Sequence, residues 1–234
     1  MSADVLPSSA PRFCAQAVLF DLDGTLADTA PDLGGALNRM RERRGLAPLP
    51  IERLRPVASS GARGMLAAGL GKAPTDPDYE SLRQEFLDEY AVALDVHSRL
   101  FDGITDLLDA LSRAGLGWGI VTNKAMRFTA PVVAGLGLAG ARVVIAGDTT
   151  PHAKPHPAPL LAACARLALA PERCVYVGDD RRDIEAARAA GMPSVAAAWG
   201  YLGNGGDATA WNADVVIDRP GALLGLLAAA PRPL

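Results

Sequence analysis

Short apolar segments alternate with amphipathic helical stretches along most of the 234-residue chain, and this alternation constrains the fold most strongly. The apolar segments, rich in Val and Ile, are Ala17–Phe20, Trp118–Val121, Val143–Ala146 and Cys174–Val177, with weaker ones at Ser194–Ala197 and Val215–Ile217. Runs that are apolar on both faces are typical of buried parallel strands. Helical patterns separate most of them, at Gly103–Ala114, Pro157–Leu169 and Asp183–Ala190. The pattern predicts an α/β fold, a Rossmann-like doubly wound parallel sheet with helices on both faces.

The stretch from about residue 28 to residue 100 breaks this alternation, because it contains no convincing strand. Helical patterns cover four segments instead, 32–44, 51–58, 62–70 and 79–93. We therefore expect an all-helical cap domain of residues 28–100, inserted into a core domain formed by residues 16–27 and 101–234. Residues 1–15 lack the basic and apolar pattern of a signal peptide, and we expect them to form a loose N-terminal leader.

Composition limits the partners of such a chain. Half of the residues are hydrophobic, which is enough for a sizeable core, and the net charge of −3 gives no sign of a broad basic surface for nucleic acid. The apolar stretch 221–230 is too short to span a bilayer, so no membrane partner is expected. Cys14, Cys164 and Cys174 form no C-x-x-C pair, which favours reduced thiols and a cytoplasmic location.

Two carboxylates follow the first predicted strand directly, in Asp21-Leu22-Asp23-Gly24-Thr25. Ligands of open α/β sheets bind at the carboxyl ends of the strands. There Asp21 can attack an electrophile, while Asp23 can exchange a proton with the leaving group and then with water. Gly24 lets the backbone approach an anion closely. A calcium loop would need a preceding helix and more oxygen ligands downstream, and neither is present.

Polar groups also follow the second predicted core strand and precede a later helix. Thr122 and Asn123 offer a hydroxyl and an amide to phosphate oxygens, although a helix N-cap explains either residue alone. Lys154 lies just before a helix that begins with proline, where a cation could neutralise a transferring phosphoryl group. A solvated surface lysine is the simpler alternative for Lys154.

A second group of carboxylates follows the strand that ends near Val177. Asp179, Asp180 and Asp183 would repel the acidic residues of the first motif unless a cation such as Mg²⁺ lay among them. A helix N-terminus accounts for Asp180 and Asp183, but it does not explain why the first motif is acidic too.

These four motifs, in this order, resemble those of the haloacid dehalogenase superfamily, and the resemblance covers residues from about 17 to 218. The helical insertion after the first motif is similar to the cap of the phosphoglycolate phosphatase branch. The resemblance implies that Asp21 is the nucleophile and Asp23 the general acid and base. It also implies that Mg²⁺ is held by the Asp21 carboxylate, the Asp23 backbone carbonyl and the Asp179 carboxylate.

The same resemblance assigns the remaining motif residues. Thr122, Asn123 and Lys154, together with the backbone at Gly24, would bind the phosphate. Asp180 and Asp183 would orient the groups around the metal. Arg63, in a glycine-rich cap segment, fits a substrate carboxylate or sugar oxygen as well as it fits a solvated position.

The physiological substrate stays open at this level. The stretches Ser59–Met65, Val96–Phe101 and Trp118–Lys124 are similar to proteobacterial enzymes that dephosphorylate N-acetylmuramic acid 6-phosphate, and many such relatives carry the phosphoglycolate phosphatase label. A sugar-phosphate mutase would keep the same core residues. A non-catalytic binding module would normally have lost one of them. We expect a magnesium-dependent, phosphoglycolate phosphatase-like enzyme for a small phosphate ester, with an N-acetylmuramic acid 6-phosphate phosphatase as the alternative. We expect a monomer or weak homodimer.

Overall fold

A computed structural model describes residues 12–203 and 206–229. The strands of these residues are β1 (Phe13–Ala15), β2 (Ala17–Phe20), β3 (Ala27–Asp28), β4 (Arg99–Leu100), β5 (Gly117–Val121), β6 (Val144–Ile145), β7 (Cys174–Gly178), β8 (Ser194–Ala197), β9 (Val215–Ile217) and β10 (Leu227–Ala229). Their α-helices are α1 (Ala30–Arg43), α2 (Ile51–Leu54), α3 (Gly61–Leu70), α4 (Tyr79–Val92), α5 (Ile104–Arg113), α6 (Met126–Gly135), α7 (Ala158–Leu167) and α8 (Arg181–Ala189). Short 3₁₀ helices occur at Arg55–Ser60, Pro171–Arg173, Ala208–Trp211 and Pro220–Leu226.

Six of the strands form one parallel sheet in the order β6-β5-β2-β7-β8-β9. Phe20, the last residue of β2, pairs with Ile120 of β5 on one side and with Val177 of β7 on the other. The polar residues that follow these three strands therefore emerge at the same edge of the sheet. All six apolar segments identified in the sequence are strands of this sheet, and the predicted doubly wound parallel fold is confirmed.

The two faces of the sheet bury alternate residues of β2. Val18 and Phe20 belong to an apolar cluster that includes residues of α5 and α6, whereas Leu19 packs on the other face with residues of α7 and α8. Burial on both faces explains why the strands are continuously apolar. Helix α6 was not predicted, because Pro131 lies inside it and interrupts the helical pattern.

Between β3 and β4 the chain forms a helical insertion, which consists of α1 to α4 and the 3₁₀ helix Arg55–Ser60. Leu37, Phe86 and Tyr90 are central to its own apolar cluster, which Phe128 and Tyr201 of the core also join. Strands β3 and β4 pair in antiparallel fashion at the two points where the chain leaves and re-enters the core. Strands of two residues carry no periodicity and were not predicted.

The expected N-terminal leader is wrong for its last residues. Phe13–Ala15 is strand β1, which pairs in parallel with β10 and aligns Phe13 with Leu227. Phe13 is buried by this pairing, and its partner is too far away along the sequence for any local pattern to reveal it. Residues 1–11 of the leader lie outside the described residues. No helix in the described ranges has both the length and the apolar character needed to cross a bilayer.

Candidate active site

Three carboxylates meet at the carboxyl edge of the sheet. Asp21 follows β2, Asp179 follows β7, and Asp183 lies in the first turn of α8. One carboxylate oxygen from each lies within 4.8 Å of the others, and all three residues are buried. Burial, and then the charges of Asp21 and Asp183, raise the pKa of Asp179 well above its usual range. We call these three residues the acidic cluster.

Lys154 brings a positive charge to the acidic cluster. Its Nζ lies 2.6 Å from the Asp183 carboxylate and 3.1 Å from that of Asp21, and it donates to the Tyr176 hydroxyl. Burial alone would lower the pKa of Lys154, but the charges of Asp183 and Asp21 raise it above its ordinary value. Lys154 is therefore a buried ammonium ion and not a solvated surface lysine.

The acidic cluster has the chemistry of a magnesium site. Two of its three carboxylates contact the Lys154 ammonium, and carboxylate oxygens are the ligands that Mg²⁺ prefers in proteins. Gly24 has φ = +87°, and a Cβ at this position would collide with the Asp179 carboxylate, so only glycine fits beside the cluster. Asp183, which the family resemblance placed around the metal and not on it, lies within the cluster itself.

Hydrogen bonds hold Asp179 in place from three directions. The Thr25 hydroxyl donates to one carboxylate oxygen at 2.8 Å, and the Tyr201 backbone N–H donates to the other at 2.9 Å. The hydroxyl of Ser59, from the helical insertion, lies 3.3 Å from that second oxygen. Sequence reasoning assigned no role to these three residues.

Asp23 lies outside the acidic cluster and beside a second buried lysine. Lys124 Nζ is 3.0 Å and 3.2 Å from the two carboxylate oxygens of Asp23, and the Thr29 hydroxyl also donates to this carboxylate. The two acids of the first motif therefore occupy different surroundings. Lys124 directly follows Thr122 and Asn123 in the sequence, but the sequence analysis gives it no role.

The side chain of Asn123 contacts the backbone of Lys154. Its side-chain amide donates to the backbone carbonyl of Lys154 at 2.9 Å and accepts from the Lys154 N–H at 2.9 Å. The amide thus holds the backbone of Lys154 through one bond at each end, and its second N–H stays available to an anion. Thr122 is buried at the end of β5, where its hydroxyl oxygen accepts from the Lys124 N–H at 3.2 Å. The Thr122 hydroxyl proton stays available to an anion.

Asp180 is the N-cap residue of α8. Its carboxylate caps α8 and accepts two bonds from the Arg182 guanidinium, at 2.8 Å and 2.9 Å, without joining the acidic cluster. Arg182 in turn donates to the Ser59 carbonyl of the helical insertion at 2.8 Å. This chain of contacts connects the core to the cap directly above the acidic cluster.

A cavity of about 400 Å³ lies between the core and the helical insertion. The core residues that line it include Asp21, Asp23, Thr122, Asn123, Lys124 and Lys154. From the insertion, Ser59, Arg63, Phe86 and Tyr90 line the opposite side. The structure therefore brings together at one cavity the predicted nucleophile, the predicted acid and base, the predicted phosphate-binding side chains and Arg63.

In the metal-free protein, the melting temperature is expected to fall as the pH rises between about 5 and 7. Burial is the largest cause that raises the pKa of Asp183, to about 7. An acid whose pKa is higher in the folded than in the unfolded state stabilises the fold at low pH, and this stabilisation is lost as the pH rises through the folded pKa. Thermal unfolding in EDTA across this range measures the slope.

Two controls accompany this measurement. Saturating Mg²⁺ is expected to flatten the slope, because a bound cation favours the ionised carboxylates. Asp183→Asn is expected to reduce the slope of melting temperature against pH that is measured in EDTA. A metal-free protein whose melting temperature rises across this pH range would contradict the prediction.

Comparison with known proteins identifies the family of the chain. The sequence profile of the haloacid dehalogenase-like hydrolase family matches residues 18–197. N-acetylmuramic acid 6-phosphate phosphatase of Pseudomonas aeruginosa is 46% identical over 217 residues, which cover 92% of this chain and 96% of that protein. A phosphoglycolate phosphatase of Xanthomonas campestris pv. campestris is 48% identical over 206 residues, which cover 88% of this chain and 93% of that protein.

A solved structure is similar over nearly the same extent. The crystal structure of a predicted phosphoglycolate phosphatase from Haemophilus somnus superposes with a TM-score of 0.77 at 26% identity, covering 90% of this chain and 96% of that one. The matched family profile and these relatives each span most of the chain, including the first motif and the helical insertion. The protein is an enzyme of the haloacid dehalogenase-like hydrolase family, of the phosphatase type that its relatives represent.

Proposed function

We propose that the protein is a magnesium-dependent phosphatase that hydrolyses a small phosphate monoester through a phosphoryl group carried on Asp21. The observation that carries this proposal is the separation of the two acids of the first motif. Asp21 lies in the acidic cluster with Lys154 Nζ at 3.1 Å, whereas Asp23 lies beside Lys124, and both acids line one cavity. An anionic nucleophile and a proton-transfer group are thus presented to the same ligand.

In the first step, a carboxylate oxygen of Asp21 forms a bond to phosphorus as the ester P–O bond breaks. Asp23 gives its proton to the departing alcohol oxygen. Lys154 and the Thr122 hydroxyl bind phosphoryl oxygens and offset the repulsion between the anionic nucleophile and the anionic substrate. Mg²⁺, held by Asp21 and Asp179 with Asp183 beside them, would supply further neutralisation of phosphoryl charge.

In the second step, water attacks the phosphorus of the aspartyl-phosphate and gives a proton to Asp23. Phosphate leaves, and the carboxylate of Asp21 is restored. The contact of Arg182 with the Ser59 carbonyl keeps the helical insertion over the cavity, which limits the access of bulk water to the reacting groups. Return of the phosphoryl group to a second sugar hydroxyl would instead make the enzyme a mutase.

The cavity favours a carboxylate-bearing substrate larger than phosphoglycolate. Within the described residues Arg63 makes no ion pair, and it lines the cavity on the cap side, where it can bind a carboxylate. Phosphoglycolate and N-acetylmuramic acid 6-phosphate both carry such a group. A cavity of about 400 Å³ leaves most of its space unfilled around a two-carbon acid, whereas an amino sugar can fill it. We therefore place N-acetylmuramic acid 6-phosphate ahead of phosphoglycolate.

The test is phosphate release with Mg²⁺ from both esters in parallel. We expect kcat/KM for the amino sugar phosphate to exceed that for 2-phosphoglycolate by about a hundredfold, or about 2.7 kcal/mol of transition-state binding. EDTA is expected to stop both reactions, and added Mg²⁺ to restore them. A preference for 2-phosphoglycolate would overturn the substrate assignment alone. If the enzyme needed a bisphosphate activator and produced an isomerised sugar phosphate in place of free phosphate, it would be a mutase, and the proposed phosphatase activity would be wrong.

A further inference from the structure

Tyr90 carries a buried hydroxyl that the protein leaves without a partner. Among the residues that the structure describes, it is the sole buried side-chain oxygen or nitrogen with no hydrogen bond. Tyr90 is 1% exposed and lies near the end of α4, on the cap side of the cavity. A buried hydroxyl that forms no hydrogen bond destabilises the fold, because it has lost water without gaining another partner. In the sequence, Tyr90 is simply one member of the apolar stripe of this helix.

The ring of Tyr90 is held by packing from both the cap and the core. Phe86 stacks with it at a centroid distance of 6.5 Å, and Phe128 of the core lies at 5.4 Å. Lys124 Nζ lies 4.6 Å from the ring centroid and attracts the hydroxyl oxygen, while its short contacts go to Asp23. An ammonium group can only donate, so the proton of the Tyr90 hydroxyl has no acceptor in the described protein. This packing holds the ring at the wall of the cavity.

The position of the ring relates it to the proposed reaction. Tyr90, Lys124 and Asp23 line the same cavity, and Lys124 joins the other two. Asp23 has to reach the ester oxygen of the substrate, so the alcohol carbons beyond that oxygen lie next to this group. Burial raises the pKa of Tyr90, so the phenol keeps its proton and can donate it in a hydrogen bond.

We infer that Tyr90 is a specificity-determining residue whose hydroxyl donates a hydrogen bond to an oxygen acceptor on the organic part of the phosphate ester. The inference rests on the proposed phosphatase function. The bond lies beyond the phosphate group, so it selects among esters and contributes nothing to the binding of phosphate itself. Because Tyr90 belongs to the cap and packs on Lys124 of the core, this recognition exists only while the two regions are packed together.

The test is Tyr90→Phe, which removes the hydroxyl and keeps the ring. For N-acetylmuramic acid 6-phosphate with Mg²⁺, kcat/KM is expected to fall about tenfold, the value of one hydrogen bond to a ligand. The inhibition constant of inorganic phosphate is expected to stay within about twofold of the wild-type value, because phosphate has no organic part. A general disturbance of the site would change both constants.

Tyr201→Phe is the matched control for stability. The hydroxyl of Tyr201 is also buried, but it accepts from the backbone N–H groups of Thr29 and Ala30 and bonds to Asp28. Tyr201→Phe is therefore expected to lower the melting temperature, whereas Tyr90→Phe is expected to leave it unchanged or raise it. A fall in Tyr90→Phe equal to that in Tyr201→Phe would show that a protein group satisfies the Tyr90 hydroxyl, and would overturn the inference.

The remaining outcomes separate the inference from the proposed function. Unchanged kcat/KM in Tyr90→Phe, with an active wild-type enzyme, overturns the role of Tyr90 and leaves the phosphatase intact. A fall in kcat/KM of Tyr90→Phe that is accompanied by an equal rise in the inhibition constant of inorganic phosphate also overturns the role of Tyr90. A wild-type protein that releases no phosphate from any ester overturns both.

Discussion

Asp21→Asn is expected to abolish hydrolysis and, at the same time, to raise the melting temperature of the metal-free protein. An amide cannot form the acyl-phosphate bond, so kcat should fall by about 10⁴-fold or more. The same change removes one of three buried carboxylates that lie within 4.8 Å of each other with a single ammonium group among them. Relief of like-charge repulsion stabilises the fold when no cation is bound. Phosphate release with Mg²⁺ and thermal unfolding in EDTA measure the two effects.

Asp23→Asn is the informative control, because Asp23 belongs to the same motif but not to the acidic cluster. Its carboxylate is paired with the buried ammonium of Lys124, and the amide would leave that charge without its counter-ion. Asp23→Asn should therefore lose activity and also lower the melting temperature in EDTA. Full turnover by a folded Asp21→Asn protein would show that Asp21 is not the nucleophile. A lower melting temperature for Asp21→Asn in EDTA would show that the carboxylates of the acidic cluster do not destabilise the metal-free protein by repulsion.

Lys154→Met is expected to destabilise the protein and to slow the reaction together. The side chain of Lys154 is 2% exposed, and its ammonium contacts Asp183 at 2.6 Å and Asp21 at 3.1 Å. Removing one partner of a buried ion pair costs about 3–5 kcal/mol, since the remaining charges stay buried without compensation. Loss of a cation that faces the phosphoryl group should lower kcat by about 10²- to 10³-fold. Urea unfolding measures the loss of stability, and phosphate release by the folded fraction measures the fall in kcat.

Lys72→Met makes the same substitution at an exposed ion pair. Lys72 contacts Asp78 at 2.7 Å on the surface of the helical insertion, where solvent screens the interaction, so stability and activity should change little. A Lys154→Met protein with the stability of Lys72→Met would show that Lys154 is not needed to balance the acidic cluster. Unaltered kcat in Lys154→Met would remove Lys154 from the phosphoryl site.

The sequence by itself determined the sheet and the location of the chemistry. Each apolar run that was assigned to the core became a strand of one parallel sheet, because burial on both faces leaves a continuous apolar pattern that any window of the sequence shows. The polar residues after β2, β5 and β7 had to converge, since the carboxyl ends of parallel neighbours share one edge. Motif spacing along the chain was therefore sufficient to place Asp21, Thr122 and Asp179 at one site.

Tertiary structure alone decided which of these polar groups contact each other. The pairing of Asn123 with the backbone of Lys154, the place of Asp183 in the acidic cluster and the contact between Lys124 and Asp23 all join residues from separate elements. The pairing of β1 with β10 and the unpartnered hydroxyl of Tyr90 likewise depend on packing between distant segments. Periodicity reports the face on which a side chain lies, whereas hydrogen-bond partners depend on distances of a few ångströms that only the assembled core and cap define.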